Sequence, residues 1–109
     1  QRSLSGKQIE ELAHLSGTSP EEYIAAQMVY PANLLAMNIS GYALCEFTID
    51  KEGVILRPHI LKATHSEFAE EALRIVKGMP KWSPALAGGK PTDSNYTLYI
   101  PFRPKLYKP

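Results

Sequence analysis

Two stretches of the chain alternate between two sets of residues, and a third repeats at helical spacing. In residues 42–49, Ala43, Cys45, Phe47 and Ile49 fall on one side, and Tyr42, Leu44, Glu46 and Thr48 on the other. A period of two predicts a strand, and the side without charge predicts the core face. Asp50-Lys51-Glu52-Gly53 follows as a hairpin turn, with Gly53 free to take a positive φ. Residues 54–61 form the return strand. Pro58 within it cannot donate to a ladder, which predicts an edge position or a bulge. Residues 95–102 are the last strand, with Tyr96, Leu98, Ile100 and Phe102 alternating against Thr97, Tyr99, Pro101 and Arg103. Pro101 predicts that one side of this strand has no neighbour inside the domain.

The helical stripe is Phe68, Ala69, Ala72, Leu73 and Val76, with Glu67, Glu70, Glu71, Arg74 and Lys77 on the remaining, exposed positions. Thr64 or Ser66 is the candidate cap, and Gly78 with Pro80 ends the helix. Upstream, Ser19-Pro20-Glu21-Glu22 reads as an N-cap, a first-turn proline and first-turn acids, predicting a helix from 20 to about 28. Tyr30-Pro31 breaks it, and residues 32–37 add another turn or two. Ile9, Leu12, Ala13 and Leu15 fit one helical face, which predicts a short helix over 7–15 stopped by Gly17. The order is helix or helices, strand, strand, helix, strand. This is a split β–α–β arrangement with the helix covering one sheet face.

Met79-Pro80-Lys81-Trp82-Ser83-Pro84-Ala85 separates the long helix from the last strand, since neither proline fits a helix interior. Trp82, the only tryptophan, reads as a plug for the end of a small core. Gly88-Gly89-Lys90-Pro91 is a turn.

The 109 residues suit one domain with a modest core. Twelve basic and eleven acidic residues leave a net charge of +1, which gives no electrostatic case for nucleic acid or an anionic membrane. No apolar run reaches the roughly 20 residues that span a bilayer. The chain opens at Gln1 and not Met, which reads as a fragment or a processed form. Cys45 is the only cysteine, so no internal disulfide forms, and it reads as a small buried hydrophobe. His14, His59 and His65 have no metal-ligand spacing. No phosphate-cradling glycine loop and no nucleophile elbow is present. The sequence therefore predicts no catalytic residues, no metal and no cofactor, and a protein that is not an enzyme. What remains is backbone chemistry: an edge strand offers unpaired N–H and C=O groups to a visiting chain.

Several segments together resemble the C-terminal domain of TonB, in the form carried by energy transducers of Bacteroidetes-type bacteria. They are Glu22-Tyr23-Ile24-Ala25-Ala26-Gln27-Met28-Val29-Tyr30-Pro31, Ile39-Ser40-Gly41, Asp50-Lys51-Glu52-Gly53, Glu71-Ala72-Leu73-Arg74, the tryptophan segment, Gly89-Lys90-Pro91, and Tyr96 with Ile100-Pro101. The resemblance covers residues 22 to 106. It implies an α+β fold of order αββαβ, a three-stranded antiparallel sheet packed on one main helix, with an extra N-terminal helix or helices. Residues 19–106 would be that domain, 1–18 an extension that can be helical, and 107–109 a tail.

The resemblance also implies a function. The domain would sit in the periplasm, anchored to the inner membrane through an upstream helix and an ExbB/ExbD-type motor. It would grip the TonB box, a short extended peptide of an outer-membrane TonB-dependent receptor, by strand addition. It would then transmit force derived from the proton-motive force for nutrient uptake. Carried over by residue, the receptor-peptide site is Gln27, Tyr30 and Pro31 before the first strand, and Asn95, Tyr96, Thr97, Leu98, Tyr99, Ile100 and Phe102 in the last. The family's last strand carries a phenylalanine three residues after its proline. Pro104 stands there in this chain, a departure that bears on where the strand ends. The alternative is a TonB-like assembly or regulatory appendage of a larger membrane protein, able to form a homodimer through the same edge.

Overall fold

The structure, a computed structural model, describes residues 3–4, 7–8, 11–15 and 17–108. The principal elements are α1 (Pro20–Gln27), α2 (Ala32–Ala36), β1 (Gly41–Ile49), β2 (Ile55–Ala63), α3 (Ser66–Lys77) and β3 (Ser94–Phe102). β1 is the centre of a three-stranded sheet with β2 on one side and β3 on the other, both antiparallel to it. β2 and β3 thus run parallel to each other with α3 between them in sequence, the split β–α–β arrangement. The mixed α+β class and the three-stranded antiparallel sheet are as the sequence predicts.

The core lies between this sheet and the helices. Ala43, Cys45, Phe47 and Ile49 of β1 are buried, as are Leu98, Ile100 and Phe102 of β3. They meet Phe68, Ala72, Ile75 and Val76 of α3, and Phe68 stacks on Phe102 with ring centroids 4.2 Å apart. Trp82 closes one end of this core, with its ring 5.6 Å from Phe47 and 4.8 Å from Tyr96. The Asp50 carboxylate shapes the β1–β2 turn by accepting from Glu52 N at 2.8 Å and Val54 N at 2.9 Å. Gly53 sits there at φ 86°, with no room for a Cβ: one would lie 1.9 Å from the Trp82 carbonyl oxygen.

The two outer strands differ. β3 pairs with β1 in unbroken register from Ser94 to Phe102. The register of β2 shifts twice, so that Leu61 and the pair Arg57–Pro58 bulge out, and Arg57 adopts φ 53°. Pro58 therefore lies on an edge strand and at a bulge, meeting both forms of its sequence expectation.

Four expectations change. The helix over 7–15 is not formed: Lys7–Gln8 pairs with Ser3–Leu4, and His14–Leu15 pairs with Trp82–Ser83. Ala13 and Leu15 are buried while Leu12 and His14 face out, which is strand alternation that happens to mimic a helical spacing. Ile9, used for that expectation, and Pro109 of the tail lie outside the described residues. The N-cap of α3 is His65 and not Thr64 or Ser66. Thr64 Oγ1 is used instead to accept from Tyr42 N at 3.0 Å, tying β1 to the end of β2. Glu71 is buried, not solvated. Finally, a hairpin of Ala85–Ala87 and Lys90–Thr92 adds two short strands around the Gly88-Gly89 turn.

Candidate functional site

The site follows from the outer flank of β3. In an antiparallel sheet the N–H and C=O of one residue point to the same side, and successive residues alternate. Tyr42 of β1 gives its C=O to Thr64 N at 3.0 Å and its N–H to Thr64 Oγ1, so its backbone faces β2. Pro101 stands opposite Tyr42. Its backbone therefore turns away from β1, and so do those of Asn95, Thr97 and Tyr99. The flank presents three N–H groups, from Asn95, Thr97 and Tyr99, and the carbonyls of these residues and of Pro101. No other described strand pairs with it. The missing donor of Pro101 costs the sheet nothing, because it falls on the outward side.

Tyr96, Leu98, Ile100 and Phe102 have the opposite phase: their backbones bond β1, and their side chains enter the core or pack against it. The predicted site residues of the last strand thus divide. Asn95, Thr97 and Tyr99 offer free peptide groups, while Tyr96, Leu98, Ile100 and Phe102 hold the strand in place. Burial raises the Tyr96 phenol above its ordinary pKa, and the nearby Glu21 carboxylate adds to the rise.

α1 runs beside this flank. Its start is set by a full capping box, in which Ser19 Oγ accepts from Glu22 N at 3.0 Å and the Glu22 side chain accepts from Ser19 N at 3.3 Å. Its end is held by α3. The Arg74 guanidinium donates to Gln27 O at 2.7 Å, and the Glu71 carboxylate accepts from Val29 N at 2.7 Å. Arg74 and Glu71 also pair with each other at 2.7 Å and 2.8 Å. That bond raises the Arg74 pKa above its ordinary value. Sequence reasoning missed this Glu71–Arg74 clamp, although the Glu71-Ala72-Leu73-Arg74 spacing is compatible with an i,i+3 pair.

Between α1, β3 and the C-terminal segment lies a cleft of about 380 Å³. Ile24, Ala25 and Met28 form its helix wall, Tyr99 and Pro101 its strand wall, and Leu106 and Tyr107 its end. Pro104–Leu106 is a single 3₁₀ turn, so the strand stops at Phe102 before Pro104. Of the predicted residues outside the strand, Gln27 is exposed at the end of α1 and Pro31 is half-buried. Tyr30 is buried: it donates to Ile39 O at 2.5 Å, and its ring packs edge-on to Phe68 and Phe102 and tilted against Tyr107. It supports the strand from beneath and is not part of the accessible flank.

The remaining chemistry is sparse. Among the described residues no group of three or more His, Cys, Asp and Glu side chains is placed to hold a metal ion, and no helix is long and apolar enough to cross a membrane. His59 lies 3.1 Å from Glu46 on the open sheet face, an exposed pair. Cys45 is fully buried, and burial pushes its thiol up to about 11.

The family model for the Gram-negative bacterial TonB protein C-terminal matches residues 26–104. That span contains the whole sheet, α3 and the outer flank of β3. Among solved structures, the TonB2 protein of Vibrio anguillarum has a similar fold, with a TM-score of 0.59 at 18% identity over 94% of this chain and 92% of that one. At that identity the likeness speaks for the fold alone. Among curated proteins no sequence match is found. The family match spans most of the chain and agrees with the split sheet and its outer strand, and on that ground this chain belongs to the family of TonB C-terminal domains.

Proposed function

We propose that this domain is a periplasmic coupling module that captures an extended receptor peptide as a fourth strand beside β3. The TonB family is a non-enzymatic, transport-associated one, and membership gives the domain a TonB-type role in energy coupling. The partner in this reading is the TonB box of an outer-membrane TonB-dependent receptor. Force reaches the domain from an ExbB/ExbD-type inner-membrane motor through an upstream anchor. The motif set quoted above favours the Bacteroidetes-type branch of the family.

The observation that carries the reading is the contrast between the two outer strands. β2 is interrupted twice and carries a proline and a left-handed Arg57, devices that keep other chains from adding to it. β3 is in register throughout, with an open row of peptide groups. Affinity from such a row comes from main-chain bonds, so it is modest and little affected by salt. Amide NMR during titration with a receptor N-terminal peptide tests this: shifts should concentrate at Asn95, Thr97 and Tyr99. Shifts centred on β2 or the open sheet face would overturn it.

The same open row favours one other reading, an assembly or regulatory appendage in which two copies pair through β3. Concentration-dependent sedimentation, with no response to receptor peptides, would select that reading.

A further inference from the structure

We propose that the cleft between α1 and β3 selects the side chains of the captured strand and its direction. This inference rests on the strand-addition reading above. The visitor takes a large aliphatic side chain into the cleft and carries a carboxylate on the end that lies at Arg103 and Lys108.

The placement follows from the alternation of a strand. α1 and α3 occupy one side of the sheet, joined by the Glu71–Arg74 clamp and by Tyr23 Oη donating to Gly78 O at 2.7 Å. A chain laid beside β3 projects every second side chain to that helix side. Those opposite Leu98 and Ile100 enter a space walled by Ile24, Ala25 and Met28 and closed by Leu106 and Tyr107. Nothing in those five side chains can pair a polar group except the Tyr107 hydroxyl. The cleft is of the size at which pockets hold ligand groups, roughly 300–1,000 Å³. The ladder also weakens at this point, because Pro101 supplies no donor. Side-chain burial thus acts where the main-chain bonds run out.

The charges are separated along the same line. α1 and β3 run in the same direction: Glu21 lies near Tyr96 at one end, and the chain after α1 reaches Tyr30 and Phe102 at the other. Glu21 therefore marks the beginning of the flank, and Arg103 with Lys108 its end. A backbone ladder alone admits a strand in either direction. The charge separation favours the direction that brings the visitor's carboxylate to Arg103.

Four acetylated, amidated decapeptides of valine and threonine test this. Each carries leucine or serine at its two central positions, so that one of the pair faces the cleft in either phase. Aspartate stands at one terminus and lysine at the other, in both arrangements. Leucine peptides should bind about tenfold more tightly than serine ones, the order expected for burying one aliphatic side chain. Ala25→Glu, at an exposed helical position, should abolish that ratio while leaving the Asn95, Thr97 and Tyr99 amides responsive. A spin label beside the aspartate should broaden the amides of Arg103 and Leu106, and in Arg103→Glu/Lys108→Glu those of Asn95 instead. Equal binding of leucine and serine peptides, or broadening that ignores the charge reversal, overturns this inference while edge shifts keep strand addition intact. No response at the three edge amides overturns both.

Discussion

The Glu71 carboxylate accepts three hydrogen bonds, from Val29 N, Arg74 Nε and an Arg74 Nη, in a largely buried position. It joins α3 to the loop after α1, so it sets the distance between the helix wall of the cleft and the sheet. Glu71→Ala should cost about 3 kcal/mol in urea unfolding, because a charged acceptor is lost and Val29 N is left without a partner. Arg74→Ala should cost less, and a double-mutant cycle should show the two effects to be strongly coupled. A second residue-scale prediction concerns Cys45. The fold prefers its neutral thiol, so the folded pKa lies above the unfolded one. The corresponding stability is complete below 9.0 and is lost as pH rises from there through about 11. Tyr30 and Tyr96 are also raised by burial and act with the same sign. Unfolding followed across alkaline pH should show this decline. At pH 8 a thiol reagent should modify Cys45 only as fast as the protein opens.

At the scale of elements, the phase of β3 can be tested by proline. Thr97→Pro removes an outward N–H and no ladder bond, so the fold should persist while peptide binding falls. Leu98→Pro removes a bond to β1 and leaves a buried carbonyl unsatisfied, which should cost about 1–3 kcal/mol. Equal loss of stability in both variants would refute the assigned phase. The alternation in β1 and β3, the capped start of α1 and the Pro58 irregularity were all legible in the sequence, because each depends on neighbours in the chain. The phase of the outer flank was half legible: Pro101 announced an unpaired side, but only the bonds of Tyr42 to Thr64 show which residues share it. The cleft was not legible, since its walls come from α1, β3 and the C-terminal turn. Nor was the strand at His14–Leu15, whose partner is Trp82–Ser83. A four-residue apolar pattern fits a helix face or a strand, and the distant partner decides.

For the whole molecule, the segment 11–15 contributes to the core. Ala13 and Leu15 are buried, and Glu11 bridges to Leu86 by a reciprocal pair of backbone bonds at 3.2 Å and 2.9 Å. Removing residues 1–17 should destabilise the domain by about 3 kcal/mol, the order of one buried leucine and its neighbour. Trp82 emission should move to the red, as its strand loses its partner. Gly53→Ala should be similarly harmful, roughly 2–3 kcal/mol, because the hairpin turn touches the Trp82 carbonyl and holds a left-handed conformation. Thermal unfolding of the two variants would check both values. The doubly bulged β2 has a further effect on stoichiometry. With one outer strand spoiled, the sheet has a valency of one. A second copy, if it docks, fills the place a receptor segment would take, and neither complex can grow into a fibre. Self-pairing and receptor capture are then mutually exclusive, and each should titrate the other away.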